Sequence, residues 1–295
     1  MLFKILARLP LPVLRLLGLI LGWLMWAASP RYRKMSGQFW ALAAGSGRLS
    51  GSADQLSALK LSALKRQSIG HAGLLATELP AIWCDPRRAR QVQAVGLDAV
   101  LHALDAGHGA ILLTPHLGAF ELSPRAFALH RPITVLYRPA RQRLLRGLME
   151  ALRPAHNLLT APADASGVRM LLRALRRGQA IGMLPDQVPA QGEGLWASFF
   201  GRPAYTMVLP IRLAQTTGAP IFWVMTVRTQ SGWTMTFEPW TPEFSLQSAP
   251  VERAVAAMNQ ALESQIARAP EQYLWAYNRY KIPYGAALPQ EALPE

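Results

Sequence analysis

A chain of 295 residues that is 51% apolar can bury a substantial core, which argues against an extended disordered protein. Its 31 Lys and Arg against 17 Asp and Glu, a formal net charge of +14, favour an anionic partner: nucleic acid, acidic lipid headgroups or an acidic carrier protein. A single cysteine, Cys84, excludes an intrachain disulfide framework and any multi-cysteine metal site.

The amino terminus is basic and apolar at once. Lys4, Arg8, Arg15, Arg31, Arg33, Lys34 and Arg48 precede the first acid, Asp54. Between Arg15 and Arg31 lies an uncharged run from Leu16 to Pro30, shorter than the roughly 20 residues a spanning helix needs. A cleaved signal peptide is disfavoured by Pro30 after the Ala27-Ala28-Ser29 end and by Arg15 within the apolar stretch. Residues 1–45 are therefore expected to anchor the chain to a membrane uncleaved, leaving residues 46–295 as the folded domain. A full span with Arg15 reaching the interface and a helix embedded in one leaflet both fit, the latter helped by Trp23, Trp26 and Trp40. The positive flank Arg31-Tyr32-Arg33-Lys34 puts the domain on the cytoplasmic side. A nucleic-acid protein has no use for such a segment, so no nucleic-acid partner is expected.

After a Gly/Ser-rich stretch, apolar spacing predicts helices over 54–79 and 92–106. A continuous apolar run at 109–114 then predicts a buried strand, followed by a helix at 119–129, a strand at 133–137 and a helix at 141–152. A short strand near 158–160, a helix at 166–177, a strand at 180–184 and a helix at 207–217 come next. Strands at 220–227 and 233–238 and a helix at 251–267 complete the pattern. Such alternation implies an α/β fold with a mainly parallel central sheet flanked by helices. Sites in these sheets lie beyond the carboxyl ends of the strands, here the residues following Thr114, Tyr137 and Leu184.

Directly after the first of those strands comes Thr114-Pro115-His116-Leu117-Gly118-Ala119-Phe120-Glu121. His116 sits on the strand-to-helix turn, and a helix can swing Glu121, five positions on, back toward the imidazole. A carboxylate on one ring nitrogen fixes the tautomer and leaves the other nitrogen as a general base. With no serine nucleophile nearby, the natural reaction is direct attack by an acceptor hydroxyl or amine on an activated acyl group. A structural histidine with an unrelated surface glutamate explains the bare spacing equally well. No second histidine stands at ligand spacing, so no metal is expected.

Four ordered blocks resemble the bacterial lipid A biosynthesis acyltransferases of the late lauroyl/myristoyl type, within the wider glycerolipid acyltransferase group. They are the Thr114–Glu121 segment, Leu136-Tyr137-Arg138-Pro139, the stretch from Leu184-Pro185-Asp186-Gln187 to Phe199-Phe200-Gly201-Arg202-Pro203, and Pro270-Glu271-Gln272-Tyr273-Leu274-Trp275. The resemblance implies an inner-membrane enzyme, its catalytic domain on the cytoplasmic face, moving an acyl chain from acyl carrier protein to a hydroxyl of a lipid A precursor. It needs no cofactor and forms no covalent enzyme intermediate. His116 is then the base and Glu121 its orienting partner. Arg138 meets a phosphate or the developing oxyanion, or only forms a structural ion pair; Asp186 and Gln187 shape the acceptor site or cap their loop, and Arg202 meets an anionic headgroup or is simply a solvated arginine. Two departures stand out: the basic run Ala140–Arg146, and the aromatic Tyr273, Trp275, Tyr277 and Tyr280, suited to a membrane interface or to a core edge. The rivals are an acyltransferase acting on a lysophospholipid or aminolipid, and a non-catalytic basic protein that only docks on lipid.

Overall fold

The computed structural model describes residues 2–49, 58–138, 147 and 155–289. Among these residues, seven strands form one sheet in the spatial order β1 (Val92–Val95), β9 (Trp233–Pro239), β8 (Ile221–Arg228), β2 (Ala110–Leu113), β5 (Ala180–Met183), β3 (Ile133–Tyr137) and β4 (Leu158–Pro162). From β8 to β4 all neighbours run parallel; β9 turns back on β8, and β1 lies parallel to β9 at the edge. The mainly parallel sheet expected from the alternation is thus present.

β2 and β5 are buried at every position, as strands covered on both faces must be. Ile111 and Leu113 point into one apolar layer and Ala110 and Leu112 into the other. Helices α8 (Ala165–Arg176), α9 (Leu209–Thr217) and α10 (Val251–Ala267) fill the first layer. The second is closed by α6 (Leu97–Asp105) and α7 (Ser123–Phe127). A two-stranded antiparallel hairpin, β6 (Gly194–Phe199) and β7 (Arg202–Met207), stands beside the sheet and packs against α10 through Asn259.

Two local differences from the sequence pattern stand out among the described residues. Val92–Val95 is an edge strand, not the start of a helix, because Gly96 takes a left-handed φ of +77° against the backbone of Phe237 and α6 begins only afterwards. In place of a helix over 119–129 there is a tight 3₁₀ turn, Phe120–Leu122, leading into the five-residue α7. The helix expected at 141–152 and the basic run 140–146 lie outside the described residues, Gly147 apart.

At the amino terminus α1 (Leu2–Leu6) is followed by α2 (Leu11–Ala28), 18 residues long and apolar enough to cross a membrane by length and composition, which is weak support for membrane association. α3 (Pro30–Gly45) returns to the domain, where Phe39, Trp40 and Ala43 join the core. α4 (Ala58–Cys84) runs between α2 and the domain, with the single turn α5 (Arg87–Arg90) after it.

Candidate active site

β2 and β5 are direct neighbours, with Leu113 opposite Met183 at their carboxyl ends. Three residues beyond each end stand His116 and Asp186, so the topology sets them side by side. His116 Nδ1 is 2.9 Å from Asp186 Oδ1, and the backbone N–H of His116 donates to Oδ2 at 3.0 Å. Both carboxylate oxygens therefore hold the same residue. Asp186 is fully buried, and burial by itself would raise its carboxyl; the His116 charge and hydrogen bonds outweigh it and hold the group below the usual carboxylate range. The buried Arg279 adds to that field while donating to Tyr205 O at 2.8 Å and Thr206 Oγ1 at 2.6 Å.

The imidazole is also clamped by aromatic rings. Tyr277 stacks on it at 5.2 Å with 14° between planes, and Phe120 meets it edge-on at 4.9 Å. The Tyr277 hydroxyl accepts the N–H of Val188 at 2.8 Å, tying the loop after β5 to the same face. Gly118 lets the histidine loop turn: its φ is +62°, and a Cβ there would collide with Thr226 O. The closing segment braces that loop through Gly118 N–H to Gln272 O at 3.0 Å and Leu274 N–H to His116 O at 2.9 Å. Tyr273, Trp275 and Tyr280 are buried, so these aromatics form a core edge and not a membrane surface.

Where the spacing alone points to Glu121, the carboxylate on Nδ1 is Asp186. Glu121 lies in the 3₁₀ turn, and its Oε2 accepts from Trp83 Nε1 at 3.3 Å. It also lines an apolar cavity beside the carboxyl ends of β2 and β5. Thr114 and Leu184 line it too, and Leu112, Val135, Gly182 and Val224 form its wall on the sheet.

A second cavity opens beside the ends of β3 and β5 and is lined by Leu136, Arg138, Gln187, Val188, Met207 and Arg212 among others. Arg138 is exposed and donates to Val188 O at 3.4 Å; the Gln187 N–H closes a turn onto Leu184 O at 3.3 Å. The structure thus brings His116, Asp186, Glu121, Arg138 and Gln187 to one edge. Arg202 stands apart at the start of β7, its guanidinium 5.0 Å from the Tyr280 ring centroid. Tyr277 and Arg279 belong to the site although no motif marks them; the only sequence signal is the aromatic density after Trp275. Among the described residues no three His, Cys, Asp or Glu side chains are grouped to hold a metal.

A buried histidine–carboxylate couple thus stands at the carboxyl edge of the parallel sheet, beside an apolar cavity. Residues 64–282 match the family model for bacterial lipid A biosynthesis acyltransferases, and the chain belongs to that family. It is 30% identical over 225 residues to the lipid A biosynthesis palmitoleoyltransferase of Escherichia coli (strain K12), covering 75% of this chain and 72% of that one. With the lauroyltransferase of the same organism it shares 27% over 218 residues, 73% and 70% of the two chains. A Haemophilus influenzae lipid A biosynthesis acyltransferase is 28% identical over 194 residues, 63% of this chain and 58% of the relative. The chain is accordingly an acyltransferase enzyme of lipid A biosynthesis.

Proposed function

We propose that the enzyme moves an acyl chain from the thioester of acyl carrier protein to a hydroxyl of a lipid A precursor, with His116 as general base and Asp186 as the group that orients it. The observation that carries this reading is the 2.9 Å contact between His116 Nδ1 and Asp186 Oδ1. An ionised Asp186 accepts, so the ring proton sits on Nδ1 and the lone pair on Nε2. Nε2 takes the proton of the acceptor hydroxyl as its oxygen attacks the thioester carbonyl. The tetrahedral intermediate then expels the carrier thiolate, which recovers the proton from the imidazolium. Proton and leaving group balance with no acyl-enzyme.

The apolar cavity that Glu121 helps to line suits the acyl chain, and Glu121 is the alternative orienting carboxylate. Arg138, Gln187 and Arg212 suit the phosphorylated part of the acceptor or carrier, and Arg202 an anionic headgroup. The net charge of +14 serves both anionic partners. The apolar α2 and its basic flank favour attachment to the cytoplasmic face of the inner membrane, with residues 46–295 carrying the chemistry.

The test is transfer from labelled acyl carrier protein thioester to a tetra-acylated lipid A precursor, beside a His116→Ala variant. A loss of about 10²–10⁴-fold or more in the variant supports the base; unchanged transfer removes His116 from the mechanism. Transfer to lysophospholipid in place of the precursor would keep the chemistry and change the acceptor.

A further inference from the structure

We infer that α2 lies in the plane of an anionic bilayer, one face in the lipid and the other clamped to the catalytic domain, with both of its ends on the same side. This rests on the proposed membrane attachment and decides its geometry.

The two faces of α2 are distinct. Leu11, Leu14, Gly18 and Gly22 form a buried stripe, while Val13, Leu16, Leu17, Ile20 and Leu24 on the opposite side are between 41% and 60% exposed. The buried stripe meets α4 backbone to backbone. A Cβ on Gly73 would collide with Gly18 and Gly22, one on Gly22 with Ile69 O, and one on Gly18 would lie 2.5 Å from Thr77 Oγ1. Such glycine-lined approach leaves the two helices no freedom to separate without exposing a long flat seam.

Polar bonds fix the same arrangement at Arg15. Its Nε donates to Glu78 Oε1 at 3.0 Å, and its remaining nitrogens donate to the carbonyls of Thr229, Gln230 (3.2 Å) and Gly232 (2.7 Å) in the β8–β9 turn. Its guanidinium also lies 5.5 Å from the Trp233 ring centroid. Beyond the other end, α3 brings Trp40 back into the core, where Nε1 donates to Ser68 Oγ at 3.0 Å and the ring meets Trp275 at 4.6 Å. Both ends of α2 are therefore held to one domain.

A crossing α2 would drag its partner with it. Gly22 packs at Ile69–Gly70, so the second half of α2 runs beside the exposed Lys65 and Arg66 of α4. Charges carried toward the middle of the hydrocarbon lose their hydration and are strongly disfavoured there. Laid flat, α2 instead offers an uncharged apolar strip roughly 27 Å long, at 1.5 Å per residue. Exposed Arg8 precedes it, exposed Arg31 and Lys34 follow it, and Trp23 borders it at headgroup level. Positive charge at both ends selects an anionic lipid surface over a second copy of this equally basic chain.

The experiment uses the full chain in bacterial cells, with Cys84→Ser removing the native thiol and either Arg8→Cys or Lys34→Cys supplying a single new one. A membrane-impermeant maleimide is applied to intact spheroplasts and then to lysed ones. In-plane binding predicts that the protein sediments with membranes and that both positions react only after lysis. Reaction of one position in intact spheroplasts would mean that α2 crosses, which overturns the inference and leaves membrane attachment standing. Recovery in the soluble fraction, as monomer or dimer, would instead sink membrane attachment itself. As a second readout, Leu17→Glu with Leu24→Glu should move the protein from the membrane fraction to the supernatant while leaving transfer to a detergent-dispersed acceptor intact; retention on membranes counts against the inference.

Discussion

His116 Nδ1 and Asp186 Oδ1, 70 positions apart in the chain, stand 2.9 Å from one another because β2 and β5 are neighbours and end in register. The second Asp186 oxygen takes the His116 backbone N–H at 3.0 Å, so the carboxylate fixes both the ring's tautomer and the position of its loop. Stacking by Tyr277 removes the remaining rotational freedom. Held this way, the proposed base needs no reorganisation when the acceptor arrives.

Exchange of the two carboxylates separates their roles. Asp186→Asn keeps the shape but lets the amide present a donor to Nδ1, favouring the wrong tautomer. We expect kcat to fall by about 10²–10⁴-fold with little change in KM, while Glu121→Gln costs much less. Steady-state kinetics on both variants, with circular dichroism to confirm folding, decide the matter. The reverse ranking would make Glu121 the orienting group.

The apolar cavity yields a prediction about chain length. Gly182 is part of its wall, and a Cβ there would stand 3.0 Å from Val135 Cγ1 and 3.3 Å from Ile133 Cδ1, so any side chain narrows the space. Gly182→Ala should shift preference toward shorter acyl chains, by about 10-fold or more per mismatched methylene group. Competition between carrier thioesters of different length reads this directly. An unchanged preference in a folded variant would place the acyl chain elsewhere.

Much of the fold is legible in the sequence because β2, β3, β5 and β8 are short apolar runs buried on both faces, a pattern few other elements produce. β1 is not, since only one of its four residues is even half-buried and Val92–Val95 continues smoothly into the periodicity of α6. The site is half legible. His116 and Asp186 can each be placed after a strand, but β3 and β4 intervene in sequence between β2 and β5, so chain order conceals that the two loops adjoin. Glu121 is nearer in sequence and draws the pairing to itself, yet a 3₁₀ turn sends its Oε2 to Trp83. Nothing local in Tyr277 announces a ring stacked on a histidine more than 150 residues earlier.

Glu78 holds the anchor to the domain. It is fully buried, with Arg15 on one oxygen at 3.0 Å and Arg228 on the other at 2.8 Å. Glu78→Gln leaves the buried Arg228 without its counter-charge, and about 3–5 kcal/mol of stability should be lost. Arg15→Ala, whose site is more open, should cost less and mainly loosen α2. Thermal unfolding in detergent, with protease sensitivity of the first 45 residues as the local probe, distinguishes the two. Equal and small losses in both variants would mean that the glycine seam alone holds the helices.

The same buried cluster makes stability depend on pH through His71. Burial first, then the Arg228 charge, lower its titration from the ordinary 6.5 to about 4, against the opposite pull of Glu78. Its Nδ1 is buried with no hydrogen-bond partner among the described residues, so no hydrogen bond compensates a proton placed there. In the unfolded chain the ring protonates near 6.5; in the fold it stays neutral until about 4. The unfolded state therefore binds more protons throughout that window, and stability falls as pH drops across it, then levels off below. At 1.36 kcal/mol per pH unit the full effect is about 3 kcal/mol. Other carboxylates titrate in the same range, so the informative quantity is the difference between wild type and His71→Leu. Denaturant unfolding from pH 7 to 4 should show the wild type losing about 3 kcal/mol more than the variant. Parallel curves would mean that the imidazole reaches solvent and gains its proton inside the folded protein at the ordinary pH.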